Sequence, residues 1–173
     1  MRSRRYPRRT GHGKHRSLYA VCPGNQAPPR DTLLAATPDA QAGQKLFEVI
    51  GCNICHVESI TTAPAGTVLT GGVFIVPDAL GGKIIHPFSD FLLHDVGTGD
   101  GIVQTGPQDT AEKLRTVPLW GLRMKARFMH DLTSLTIEDA IRRHQGEAKH
   151  VERRFKGLTD IEKQQLIAFL MSL

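Results

Sequence analysis

No apolar run in this 173-residue chain approaches the ~20 residues that a membrane-spanning helix needs. Cysteine is scarce too. Cys22, Cys52 and Cys55 are all there is, too few for a disulfide framework once two of them share one motif. Asp and Glu are absent from residues 1–30, which hold eight Lys and Arg. Residues 31–173 carry 14 basic and 17 acidic residues, a balance of −3, so the net charge of +5 belongs to the amino-terminal arm. Such an arm suits nucleic acid or an anionic surface. The plainer reading, a disordered and solvated extension over residues 1–36, is preferred. Arg4-Arg5 and Arg8-Arg9 resemble a twin-arginine export signal, but the apolar region of roughly 7–15 residues that should follow is missing.

The informative residues are Cys52-Asn53-Ile54-Cys55-His56. Cys-x-x-Cys-His is the attachment signature of a c-type haem. Each thiol adds to one vinyl group, and the adjacent histidine supplies the proximal nitrogen to iron. One covalent haem c is therefore the expected cofactor, with Cys52 and Cys55 as tethers and His56 as ligand. A structural zinc site needs four ligands, and Cys22 stands alone in a polar arm. A thioredoxin-like pair usually sits near a strand–helix unit and has no need of the histidine.

The length and a hydrophobic fraction of 40% fit one small domain. It is expected over residues 37–173, mainly α, with long irregular loops. Thr37 can cap a helix with Pro38 at its first position and Asp39 in its first turn. Ala42, Leu46, Val49 and Ile50 recur at helical spacing, and Gly51 ends the run before Cys52. Thr159-Asp160-Ile161-Glu162 fits a capping box, followed by a stripe of Leu166, Phe169, Leu170 and Leu173. Two apolar terminal helices around a haem resemble the cytochrome c fold, in which those helices cross.

A third helix is expected after Thr133 or Ser134, with Ile137, Ala140, Ile141 and His144 on one face and Gly146 as its stop. A histidine on an apolar face is usually a satisfied core residue. Here the core is expected to hold an iron that needs a sixth ligand, so His144 is the candidate distal ligand. Met124, Met129, Met171 and His130 are the alternatives. Between residues 58 and 118 the chain reads as irregular, with a small β-hairpin from Val68 to Val76 turning at Gly71-Gly72. His94-Asp95 reads as an acid–base pair or, more plainly, as a surface turn.

The order of these blocks resembles a known family. Lys45-Leu46-Phe47 precedes Gly51-Cys52 and the haem motif. Then come His86-Pro87-Phe88-Ser89-Asp90-Phe91-Leu92-Leu93-His94-Asp95-Val96-Gly97 and Arg115-Thr116-Val117-Pro118-Leu119-Trp120-Gly121-Leu122. Arg127-Phe128-Met129-His130-Asp131 and Thr136-Ile137-Glu138-Asp139-Ala140-Ile141-Arg142-Arg143-His144 close the series. Over residues 37–173 the chain is similar to the di-haem oxidoreductases, also called thiol oxidoreductases, which are related to di-haem cytochrome c peroxidases.

The resemblance implies a carboxy-terminal haem domain that passes electrons to a second haem. It also implies a distal ligand fourteen residues after the histidine of the Phe-x-His-Asp block, and that offset from His130 lands on His144. The block departs from the usual His-Asp-Gly-Arg-Ala by reading His130-Asp131-Leu132-Thr133-Ser134. Arg115, by resemblance and by charge, is expected to hold a haem propionate rather than serve as a plain surface cation. Trp120 is expected to pack at the haem.

Only one Cys-x-x-Cys-His is present, so electron transfer with His56/His144 ligation is the primary expectation. The alternative is one half of a di-haem peroxidase or thiol oxidoreductase. The expected partner is a redox protein or a second haem domain; nucleic acid is disfavoured. The expected location is the periplasm, where c-type haem is attached. The lack of a visible export signal leaves a misplaced start or a fragment as the explanations.

Overall fold

The computed structural model describes residues 27–104 and 106–173. Helix α1 (Thr32–Ala35) is a single turn whose first amides are capped by Asp31, which accepts from Leu34 N at 2.9 Å. The Asp31 amide donates to the Ser172 carbonyl at 2.8 Å, tying this turn to the carboxy-terminal end. Residues 31–36, expected in the arm, are thus structured, because a local cap and a long-range backbone bond hold them. The arginines at positions 2–16 and Cys22 lie outside the described residues.

Helix α2 (Pro38–Ile50) begins as the sequence predicts. Thr37 Oγ1 accepts from Ala40 N at 3.2 Å, Pro38 opens the helix, and Gly51 closes it with φ of +97°. That left-handed closing residue turns the chain directly into a 3-10 turn at Cys52–Ile54, which carries the cysteine motif.

Among the described residues, the middle of the chain holds six two-residue strands, β1 (Ile60–Thr61), β2 (Val68–Leu69), β3 (Phe74–Ile75), β4 (Ile84–Ile85), β5 (Leu93–His94) and β6 (Leu114–Arg115). They pair antiparallel as β1–β4, β2–β3 and β5–β6. The β2–β3 pair is the expected hairpin, with Val68 opposite Ile75 and Leu69 opposite Phe74. Its apolar side chains are exposed.

Helix α3 (Ile137–Arg142) is capped by Thr136, which accepts from Asp139 N at 3.0 Å, and not by Thr133 or Ser134. Those two hydroxyls are occupied elsewhere, both accepting from Nη1 of Arg143. The helix stops at Arg142, four residues before the expected stop at Gly146. Helix α4 (Lys149–Lys156) was not expected. Helix α5 (Asp160–Met171) has the predicted capping box, with Thr159 and Glu162 each bonding the other's backbone amide.

Helices α2 and α5 pack directly on each other. A Cβ placed on Gly43 would lie 1.9 Å from the Gln165 carbonyl oxygen and 2.9 Å from Phe169 Cβ, so glycine sets the approach. Around this crossing lies the core, formed by Phe47, Ile50, Phe88, Leu122, Phe155, Leu166, Phe169, Leu170 and Leu173. Phe47, Phe88 and Phe169 meet edge to face at centroid distances of 5.3–6.1 Å.

Candidate haem site

Helix α2 delivers Cys52, Cys55 and His56 to one side of this aromatic cluster. The His56 ring lies 6.4 Å from that of Phe47. Its Nδ1 is 2.9 Å from the Phe88 carbonyl oxygen. A carbonyl can only accept, so the hydrogen sits on Nδ1 and Nε2 keeps its lone pair. Phe88 is buried with φ of +51°, a left-handed conformation uncommon outside glycine. Pro87 and Ser89 hold the turn from both sides, through Leu119 N to Pro87 O at 2.9 Å and Ser89 N to Val57 O at 2.9 Å.

His144 lies two residues beyond α3 but keeps its register. Its Nδ1 is 2.8 Å from the Ala140 carbonyl, one turn earlier. The same argument places the hydrogen on Nδ1 and leaves Nε2 free. Burial pushes His56 down to about 4, against the opposing effect of the Phe88 carbonyl, and proximity to His144 lowers it further. Burial also lowers His144, opposed by the Ala140 carbonyl. Both rings are therefore neutral at ordinary pH, the form that ligates a metal.

The thiols are free and half-buried. Burial pushes Cys52 up to about 12. Burial, with the nearby Asp90 and Glu147 carboxylates, raises Cys55 as well. A redox-active Cys-x-x-Cys needs a lowered thiol pKa, so this environment argues against disulfide exchange. Cys55 Sγ, a carboxylate oxygen of Asp90 and a ring nitrogen of His94 lie within 4.8 Å of one another. Both His94 nitrogens are already engaged, Nε2 with Asp90 at 2.8 Å and Nδ1 with Glu147 at 2.8 Å.

Two neutral imidazoles and two thiols are the donor chemistry that a c-type haem takes. Leu119, Phe128, Ile137, Ile141 and Val151 pack on the core while remaining partly exposed, as does Cys52. The Phe88 carbonyl, which holds His56, escaped sequence reasoning. Backbone acceptors carry no sequence signal.

Met124 is exposed, and His130 pairs with Asp100 at 2.9 Å. Arg115 is exposed on β6, without an ion pair among the described residues. Trp120 lines a cavity of about 440 Å3 with His86, Phe88 and Leu173, whose walls do not include Cys52, Cys55 or His144. His94 does not pair with Asp95; the Asp95 carboxylate accepts from Gly97 N at 2.8 Å.

In fold, the chain is similar to a chain of Kuenenia stuttgartiensis hydrazine synthase, solved under 20 bar of xenon, with a TM-score of 0.53 and 21% identity. The match covers 86% of this chain and 50% of that one, so this chain spans about half the length of its structural relative. No curated protein matches the sequence significantly. The family model described as "Di-haem oxidoreductase, putative peroxidase" matches residues 27–173. The chain belongs to the di-haem oxidoreductase family.

Proposed function

We propose that this chain is an electron-transfer domain with a cytochrome c-like arrangement of helices, tethering one haem through Cys52 and Cys55 and ligating its iron with His56 and His144. The observation that carries this reading is shared by the two histidines. Each has Nδ1 committed to a backbone carbonyl, Phe88 for one and Ala140 for the other, leaving Nε2 as a donor. Such bonds fix the tautomer and ring orientation of metal-bound histidine and raise its basicity.

When bound, the haem supplies a one-electron Fe(III)/Fe(II) couple. The chain's residues hold it and tune it. Two imidazole donors favour the oxidised state more than a His/Met pair does, so the potential should lie below that of His/Met cytochromes. With His56 and His144 both holding the iron, peroxide would find no open site on it. Arg115 is assigned to a propionate and Trp120 to packing at the haem, both on the strength of the family resemblance. Haem attachment of this type places the mature protein outside the cytoplasm. No helix among the described residues is long and apolar enough to cross a membrane.

A second reading rests on the family. A di-haem family favours a second haem domain as the redox partner. In that case the complete peroxidase or oxidoreductase is the assembly, with this domain as its electron relay.

The test is covalent attachment. Coexpressed with haem-attachment machinery, the protein should carry one haem that resists acidic acetone and gives the pyridine spectrum of two thioether bonds. Cys52→Ala or Cys55→Ala should shift that spectrum to a single bond. In the double variant the haem should be extractable. Haem retained by the double variant after extraction contradicts the assignment.

A further inference from the structure

Residues 88–97 form a strap that touches both candidate ligand segments. At one end the Phe88 carbonyl holds His56, Ser89 N bonds Val57 O at 2.9 Å, and Asp90 N bonds Cys55 O at 2.8 Å. At the other end Gln145 N donates to Val96 O at 2.9 Å and Glu147 N to Asp95 O at 2.8 Å. The contact there is close. Gly146 has φ of +53°, and a Cβ on it would sit 2.4 Å from the Asp95 carbonyl oxygen.

His94 stands in the middle of the strap. Its Nε2 reaches Asp90, two residues past Phe88, and its Nδ1 reaches Glu147, three residues past His144. The other Glu147 oxygen accepts from Asp95 N at 3.1 Å, and the other Asp90 oxygen from Leu92 N at 2.9 Å. Carboxylates only accept, so both ring nitrogens donate and the ring is an imidazolium between two anions. His94 and Asp90 are half-buried, at 19% and 13% side-chain exposure, while Glu147 is 51% exposed, so solvent screens the Glu147 arm more than the Asp90 arm.

We propose that His94 is a positioning residue whose ring braces the segment holding His56 against the segment carrying His144, and so sets how firmly the distal ligand is held. This rests on the haem reading above. His94 touches neither iron ligand directly; it acts through Asp90 and Glu147. Without the brace, residues 144–147 keep their backbone bonds to the strap but lose the charged cross-link, and the distal imidazole should exchange more readily.

The experiment uses the holoprotein and reads cyanide binding to the ferric state. Wild type comes first. A low-spin spectrum without the near-infrared band of methionine–Fe(III) ligation, together with slow cyanide binding, upholds the axial assignment; its absence overturns that assignment and the brace with it. With low-spin wild type in hand, His94→Ala should quicken cyanide binding severalfold, by less than the ~10–100-fold that losing a ligand's direct partner costs, because His94 acts through Asp90 and Glu147. His94→Gln, which keeps N–H donors without the charge, should recover part of the difference. Glu147→Gln should quicken cyanide binding as well. Adding His94→Ala to Glu147→Ala should cause little further change, because residues acting through one another are non-additive. A merely structural role would lower Tm while leaving cyanide binding at the wild-type rate. That result, or full additivity of the two changes, overturns the proposal.

Discussion

The carbonyl oxygen of Phe88 lies 2.9 Å from Nδ1 of His56, and it points there from a residue with φ of +51°. The backbone takes an uncommon conformation at the point where it fixes the tautomer of the histidine. Packing sustains it, since the Phe88 ring sits edge-on to Phe47 at 6.1 Å and to Phe169 at 5.8 Å.

Phe88→Ala should therefore act twice. Emptying a buried phenylalanine site costs about 3–5 kcal/mol. Releasing the turn should also loosen His56. Urea unfolding should show the stability loss, and the spectrum of the holoprotein should show a proximal ligand less firmly held.

Gly43→Ala should destabilise the fold by about 1–3 kcal/mol, as overpacking does. The new methyl meets the Gln165 carbonyl and Phe169 Cβ, so α2 and α5 must move apart. A lowered Tm with the haem spectrum retained is the expected result.

The α2–α5 pair was legible because its signals are local. Thr37-Pro38, Gly51 and the Thr159–Glu162 box are caps written in adjacent residues, and the structure contains each of them. The start of α3 misled because Thr133 and Ser134 look like caps but serve Arg143. Helix α4 was missed because Lys149–Lys156 offers only Val151 and Phe155 as apolar side chains, one turn apart. The strap was beyond sequence reasoning for another reason. Its partners are far away in the chain, with His94 and Glu147 53 residues apart, while neighbouring Asp95 suggested a pair that does not form. The Cys-x-x-Cys-His run and the register of His144 one turn after Ala140 were readable from spacing. What orients the two histidines, a pair of backbone carbonyls, was not.

Thr159→Ala should cost about 1 kcal/mol, the usual value of a lost N-cap hydroxyl. Denaturant midpoints should show it, with an unchanged spectrum, because Thr159 bonds Glu162 and no candidate ligand.

The His94 cluster carries a pH signature. Against the effect of burial, its bonds to Glu147 and Asp90 raise His94 above its ordinary 6.5. That stabilisation is complete below 6.5 and is lost as pH rises through the raised folded value. Glu147, lowered by His94 and the Asp95 amide, behaves oppositely. Its contribution is present above its ordinary 4.5 and is lost as pH falls through the lowered value. Asp90 is lowered too, with burial opposed by the Leu92 amide and His94. The stability difference between wild type and His94→Gln should therefore be largest between about 4.5 and 6.5 and shrink on either side. A series of urea midpoints against pH would read it.

The most direct measurement of the central claim is the ferric spectrum of the holoprotein beside its His144→Ala variant. Two histidine ligands predict a low-spin wild type without the weak near-infrared band of methionine–Fe(III) ligation. The variant should turn high-spin and bind added imidazole readily, while Met124, Met129 and His130 should be replaceable without a change of spin state. A His144→Ala protein that stays low-spin at an unchanged potential would contradict the account and transfer the distal position to another residue.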